Sequence, residues 1–401
     1  AGLFCVAPPC SAPISLPVDG LMMRLRPVLL VAVDCFTTRD VHVVVHAALG
    51  AMLLLTRLVL VPVPVQTLVY TQSILYVGAH RSLAMLDRDS EPGEALQVEA
   101  LSWREGALGP AFWLTITLSV CITYRCFGAQ QVILLFTMYF SCVCTVAFAE
   151  SIRPIILAFL SEEARRRTVH FKLPVLPSKL VPRRDGENVW VVRFGKDRIL
   201  AYAAAVLTSV AHLYTGDWTL HNTFVISLAL QVLTHVSLGR FAVGVGLLGG
   251  MLLCDALWVF GSPAAPALAT DFSGAVQVLL PVSWDPWRQV TIGFGDIAVP
   301  GILVAMCLRF DAHTHLVSGG EAVSLLSDFS KPYFLSACCA YLLAKLVSGA
   351  ILSGSALLYL VPATVCAPIA LGYTRGQIRD LFAYNEEELM PKRGSESSKQ
   401  R

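Results

Sequence analysis

The feature that most constrains this chain is the recurrence of apolar runs about as long as a bilayer is thick. A transmembrane helix needs roughly 20 predominantly apolar residues, and such runs recur along most of the 401 positions. Charged residues make up only 14% of the chain, against about 25% in an ordinary soluble domain. The net charge of +2 is small, and its distribution matters more than its sum. The pattern predicts an all-α polytopic membrane protein with about nine transmembrane helices.

The first span lies within 41–79, where two apolar runs flank the Pro62/Pro64 pair; two spans, or a cleaved signal and one span, both fit. The others are expected at about 109–124, 130–152, 199–215, 221–238, 241–262, 289–308, 332–352 and 353–373. Residues 1–40 open on Ala1 and include "MMRLRPVLLVAVDCF", with basic residues ahead of a short apolar stretch. That is loosely signal-like, and an artefact of the gene boundaries fits as well, so this segment receives no function. The organisation is then N-terminal helices over 41–220 with a basic loop at 153–198, C-terminal helices over 221–373, and a tail over 374–401. No repeat of 20–50 residues is evident, which argues against a solenoid.

Lys and Arg give the orientation, because cytoplasmic loops carry their excess. If the first span runs inward, the inside loops hold 23 of the 30 basic residues. The outside loops and facing ends hold three, Arg125, Arg288 and Lys345. The remaining four lie in the uncertain N-terminal part. Segment 153–198 and the C-terminal tail are therefore expected in the cytoplasm.

Most of the 12 cysteines fall inside apolar spans, and none forms a C-x-x-C pair. Cysteine there reads as a small buried apolar residue. "HVVVH" places His42 and His46 one helical turn apart, and "DAHTH" clusters His313 with His315, but neither brings the further ligands that a metal site needs. No metal, cofactor or nucleic acid is expected.

Intramembrane carboxylates are harder to dismiss. Asp255 and Asp296 stand in apolar runs, where a charge costs at least roughly 2.5–3.5 kcal/mol and such residues usually face a protein interior. Asp255 lies seven residues before the expected outer end of its span, Asp296 seven after the outer start of the next. At 1.5 Å per residue both would sit about 10 Å below one surface, so antiparallel neighbours would bring them together. Two such carboxyls share a proton and titrate as a unit. One can then take a proton from water while the other polarises a carbonyl. A packing pair, or a proton relay in a transporter, is the alternative.

The local sequence favours the first reading. "GFGD" (293–296) resembles the G-x-G-D motif of the presenilin-type intramembrane aspartyl proteases, and "CDALWVFG" (254–261) resembles their Y-D-x-x-W-V-F-G stretch. "SALLYLVP" (355–362) is similar to their P-A-L-L-Y-L-V-P. "LLGGMLLCDALWVFG", "GDIAVPGILVAMCLRFD" and "DLFAYNEEE" resemble the signal peptide peptidase branch. The likeness spans roughly 66–388 and is strongest from 221 onward. It implies a presenilin-like fold, Asp255 and Asp296 as the catalytic pair, and an active site shaped by Gly293, Gly295, Ser355, Ala356 and Leu357. It also implies no cofactor, membrane-helix or signal-peptide substrates, and residence in the endoplasmic reticulum or a related endomembrane; homo-oligomerisation stays open. The inferred orientation agrees with this branch and is opposite to that of presenilins.

Two positions depart from the pattern. Cys254 stands where the family has Tyr, and Ser355 where it has Pro; without a Pro at 355 a more regular helix is expected there. These changes keep open a catalytically degenerate scaffold of the same fold. A proton-coupled transporter is disfavoured, because no pair of interrupted segments occupies corresponding halves of the chain. Gly293 and Gly295 are expected to clear the helix face before Asp296 for close approach of another backbone, and to loosen the helix beside a substrate.

The charge distribution generates one prediction. A tag after residue 375 should be digested by protease added to sealed microsomes, and loop 263–288 should be protected; a protected C-terminal tag would reverse the assigned orientation.

Overall fold

The computed structural model describes residues 38–86, 99–100, 129–160, 168–173, 190–261, 276–284, 287–320, 323, 327–351 and 355–386, with 108–112 and scattered positions up to 126. The described chain is mostly helical. Thr38–Leu58 (α1) and Val63–Ser82 (α2) stand on either side of Pro62. Pro64 falls in the first turn of α2, where a missing N–H leaves no helical bond unmade. The helices that follow are Ala129–Phe159 (α3), Lys196–Thr215 (α4), Trp218–His235 (α5) and Phe241–Gly261 (α6). Then come Phe294–Val317 (α7), Pro332–Ile351 (α8), Leu357–Arg375 (α9) and the short Ile378–Ala383 (α10). Asp217 starts α5 by accepting from the N–H groups of Thr219 (2.8 Å) and Leu220 (3.3 Å), the usual side-chain remedy for orphan donors at a helix start.

Three stretches, Gln130–Leu157, Pro332–Gly349 and Leu357–Arg375, are long and apolar enough to cross a bilayer. Leu135, Leu207, Leu253 and Leu343 lie exposed on the outside of the bundle. An outer surface of this kind suits lipid better than water.

One expected span needs correction. The run over 289–308 does not begin as a helix: Trp287–Gly293 (β6) pairs antiparallel with Gln277–Trp284 (β5), and α7 starts only at Phe294. The hydropathy pattern could not reveal this, because a short stretch of mixed character ahead of a helix shows no decisive strand or helix period. Asp296 thus sits in the first turn of its helix, not two turns inside it. The depth argument from helical rise fails for this residue.

The hairpin is held from below by side chains that act as strand partners. Asn222 of α5 donates to the Leu279 carbonyl (2.8 Å) and accepts from its N–H (2.7 Å), and Gln66 of α2 donates to the Pro281 carbonyl (3.0 Å). Backbone groups at that depth must be paired. Trp218, Trp284 and Trp287 cluster at the turn, with ring centroids 5.5–6.4 Å apart, as aromatics gather at a membrane surface. Two further strand pairs complete the inventory of described residues. Thr168–Leu173 (β2) with Trp190–Gly195 (β3) is antiparallel, and Glu99–Ala100 (β1) with Val236–Ser237 (β4) is parallel.

Helix α7 is the central post, packed against α2, α5, α6, α8 and α9. From Pro300 to Ala312 every residue is buried; through Leu308 the stretch is apolar on all sides, as expected of a buried helix. Close packing at one node depends on glycine. A Cβ at Gly301 would meet Leu233 at 2.7 Å and Leu75 at 2.8 Å, and one at Gly78 would meet Leu233 at 2.7 Å. Leu233 of α5 therefore seats between α2 and α7 only because both lack a side chain there.

The end of α7 remote from Asp296 carries a buried ion pair. Arg309 and Glu386 are both fully buried; Arg309 Nε donates to Glu386 Oε1 (2.7 Å) and Nη2 to Oε2 (3.2 Å). Arg309 Nη1 donates to Ser82 Oγ (2.9 Å), and the Ser237 hydroxyl donates to Glu386 Oε2. The Glu386 N–H donates to the Gly239 carbonyl (2.7 Å), two residues before α6 begins. The first part of the tail, through Glu386, is therefore structural.

Losing one partner strands the other in a dry site, which costs about 3–5 kcal/mol. Glu386→Ala should accordingly lower thermal stability in detergent strongly, while Arg309→Met combined with Glu386→Leu should recover most of the loss. A single variant as stable as the wild type would contradict the burial of the pair.

Candidate active site

Asp296 is held from α8 at two points. Proline at position 300 has no N–H, so the Asp296 carbonyl four residues earlier loses its helical donor. The Tyr341 hydroxyl donates to that carbonyl instead, at 3.2 Å. One turn further along α8, Lys345 Nζ lies 3.0 Å from Asp296 Oδ2, and both side chains are largely shielded, 11% and 21% exposed. Residues four apart share one helix face, so α8 grips the carbonyl and the carboxylate with a single stripe.

Asp255 stands on α6, half-buried. Ser355 and Asp296 both lie near enough to bear on its carboxyl electrostatically. Its Oδ2 is buried with no hydrogen-bond partner among the described residues. Asp255 on α6 and Asp296 in the first turn of α7 are thus presented by a different local geometry from the one the span lengths suggested. A buried polar atom without a partner costs free energy.

The other expected residues gather unevenly. Gly293 is the residue before α7, with φ −61° and ψ 137°. It therefore belongs to the end of β6 and not to a helix face. A Cβ there would make ordinary contact with the Asp296 side chain at 3.7 Å, and one at Gly295 would meet nothing within 4 Å. Among the described residues no neighbouring helix uses the space at Gly295, so close packing among them does not explain this glycine. Ser355 lies ahead of α9 and accepts from the Leu357 N–H (3.2 Å), with Ala356 between. The more regular helix expected from Ser355 is not found, since α9 begins only at Leu357. Instead its hydroxyl serves the helix start and faces Asp255. Cys254, the other departure, approaches the Pro110 carbonyl with its thiol (3.5 Å), at a face where Gly250 also abuts Pro110.

Lys345 and Tyr341 were missed in the sequence. The signal was present for Lys345, an ionisable residue inside the apolar run "YLLAKLVSG", which by default deserves a functional reading. It lies seven residues before the expected outer end of its span, the same offset as Asp255. Tyr341 carried no signal beyond Pro300 and its freed carbonyl. His313 and His315 pack against Tyr384 and Phe329, and among the described residues no three His, Cys, Asp or Glu side chains are placed to hold a metal ion.

Known proteins resemble this chain over the same region. The signal peptide peptidase family model matches residues 105–388. Human "Signal peptide peptidase" is 24% identical over 301 residues, covering 72% of this chain and 74% of its own. "Intramembrane protease 2" of Caenorhabditis elegans is 24% identical over 275 residues, 60% of this chain and 57% of its own. "Signal peptide peptidase-like 5" of rice reaches 34% over 204 residues, 46% of this chain and 35% of its own. No solved structure matches. Matched across both aspartate-bearing helices and the start of α9, the chain belongs to the signal peptide peptidase family of intramembrane aspartyl proteases.

Proposed function

We propose that Asp255 and Asp296 are the catalytic pair with which this protein hydrolyses peptide bonds inside membrane-spanning helices, remnant signal peptides among them. What supports this reading is an aspartate on each of α6 and α7, Asp296 charge-paired with Lys345 and Asp255 keeping a buried oxygen unpartnered among the described residues. One carboxylate takes a proton from water as the other, protonated, donates to the scissile carbonyl. Ser355, Ala356 and Leu357 shape the wall beside Asp255. Gly295 and the end of β6 leave room for substrate backbone.

A substrate helix hides its peptide bonds in its own hydrogen bonds, so it must unwind before water can attack. An unwound segment then needs new partners for its backbone groups, because the bilayer offers none. The exposed strand β6, running directly into Gly293 and Asp296, supplies donors and acceptors of the kind an extended peptide pairs with. We assign the complete bundle to about nine spans in a presenilin-like arrangement, with a cytoplasmic C-terminus, in the endoplasmic reticulum or a related endomembrane. The apolar outer surface and the family membership support an integral membrane enzyme; the orientation rests on the basic loops.

The direct test is cleavage of a signal-peptide-derived substrate by purified protein in detergent. Asp255→Ala and Asp296→Ala should each abolish it while leaving expression and insertion intact, because one carboxyl cannot act as base and acid together. Residual turnover above about one part in a thousand in either variant would remove the dyad, given the usual size of general acid–base effects.

A further inference from the structure

The end of the bundle remote from Asp296 holds a cavity that the two aspartates do not touch. It has a volume of about 160 Å³ and lies between the last turns of α7, the start of α8 and the end of α9. Asp311 and Tyr333 are buried in its wall, His315 and Gln377 are part-buried, and Arg375 and Ser330 are exposed at its mouth. A single water needs roughly 15 Å³, so there is room for a larger polar group. We propose that this cavity binds a phosphate group, with the Arg375 guanidinium as its charged anchor.

The assignment follows from which hydrogen-bonding groups are already spent. The strong acceptors are. Both Asp311 carboxylate oxygens accept from the first turn of α8, from the N–H of Tyr333 (3.2 Å) and of Phe334 (2.9 Å). Gln377 Oε1 accepts from the Tyr333 hydroxyl (3.2 Å). Thr314 and Ser318 give their hydroxyl protons to the carbonyls of Phe310 and His315, which leaves only weak neutral acceptors there. The donors are not spent. Among the described residues, the Arg375 guanidinium, the Gln377 amide N–H groups, the Ser330 hydroxyl and the His315 ring make no hydrogen bond. Arg375 also has no ion-pair partner among them. A cation entering here meets occupied acceptors, whereas an oxyanion meets a guanidinium and three neutral donors.

Charge and position agree with this. Asp311 lies near enough to Arg375 for the two to interact electrostatically, but its carboxylate caps α8, whose positive end compensates an anion. The guanidinium fork matches phosphate oxygens two at a time. Leu357–Arg375 is long and apolar enough to cross a bilayer, and Arg375 is its last residue. The anchor is therefore placed where α9 leaves the hydrocarbon, at the depth of lipid headgroups. Basic pockets between membrane helices at that depth take phosphorylated headgroups. A lipid phosphate and a free phosphate present the same oxygens, and either would join the ends of α7, α8 and α9. The inference is independent of the catalytic reading of Asp255 and Asp296.

The test is equilibrium binding to the purified full chain in an uncharged detergent. The probes are inorganic phosphate, dioctanoyl phosphatidic acid and dioctanoyl phosphatidylcholine. Phosphatidic acid should bind, and phosphatidylcholine about tenfold more weakly or worse, because its choline cation brings a charge that the cavity does not accommodate. Arg375→Gln should weaken phosphatidic acid binding by about tenfold or more, the usual worth of a charged hydrogen bond, and Arg375→Lys should weaken it less. Arg379→Gln removes an exposed charge on α10 that does not line the cavity and should change little. Should Arg375→Gln not accumulate, Arg375→Ala carries the same expectation. Inorganic phosphate that binds as tightly as phosphatidic acid identifies the occupant as free phosphate. Weaker or absent phosphate binding identifies it as a lipid headgroup, and both results support the site. No binding of either, equal affinity for phosphatidylcholine, or equal losses in Arg375→Gln and Arg379→Gln overturns the proposal.

Discussion

The arrangement depends on one buried ion pair. Arg309 and Glu386 lie wholly out of solvent, joined by two hydrogen bonds, with Ser82 and Ser237 as further partners. Taking two charges from water is expensive, and a buried pair is poor evidence of stability for that reason. It bears instead on specificity, because parting any of the surrounding elements would strand a buried donor or acceptor. Here those elements are the end of α2, the approach to α6, the far end of α7 and the segment after α10. The two aspartate-bearing helices are thus fixed to each other about 20 Å along α7 from Asp296, by its rise of 1.5 Å per residue.

The opposite end is organised by different means. A β-hairpin leads into α7, and its backbone is paired by Asn222 and Gln66 as well as by its own strands. Asp296 follows immediately, in a first turn that Gly293 and Gly295 leave unencumbered. Proline at position 300 opens a carbonyl that Tyr341 closes. The site therefore combines a rigid post with locally irregular backbone, and in a membrane such backbone is tolerated only inside protein or beside a cavity.

Much of this was legible in the sequence, for identifiable reasons. Helices α4, α5, α6, α8 and α9 fall within a few residues of the runs that hydropathy marks, because long apolar runs have few other solutions in lipid. Asp255 and Asp296 stood out because charge is costly there. The β6 strand was not legible, since seven residues of mixed character ahead of a helix carry no decisive period. The grip of Lys345 and Tyr341 on Asp296 was not legible either: it depends on how α8 is rotated against α7. Arg309 and Glu386 both lay in stretches already singled out, "GDIAVPGILVAMCLRFD" and "DLFAYNEEE", yet nothing local says that residues 77 positions apart will pair.

The central claim is that two carboxyls from α6 and α7 act together on substrate within the membrane. It is tested most directly by affinity labelling with a photoreactive, hydroxyl-bearing transition-state analogue directed at aspartyl proteases, using the purified full chain. The account predicts labelling of the wild type, competition by substrate peptide, and loss of labelling when either Asp255 or Asp296 is replaced by Ala. A folded wild-type protein that takes no label, or labelling that survives removal of either aspartate, would contradict it.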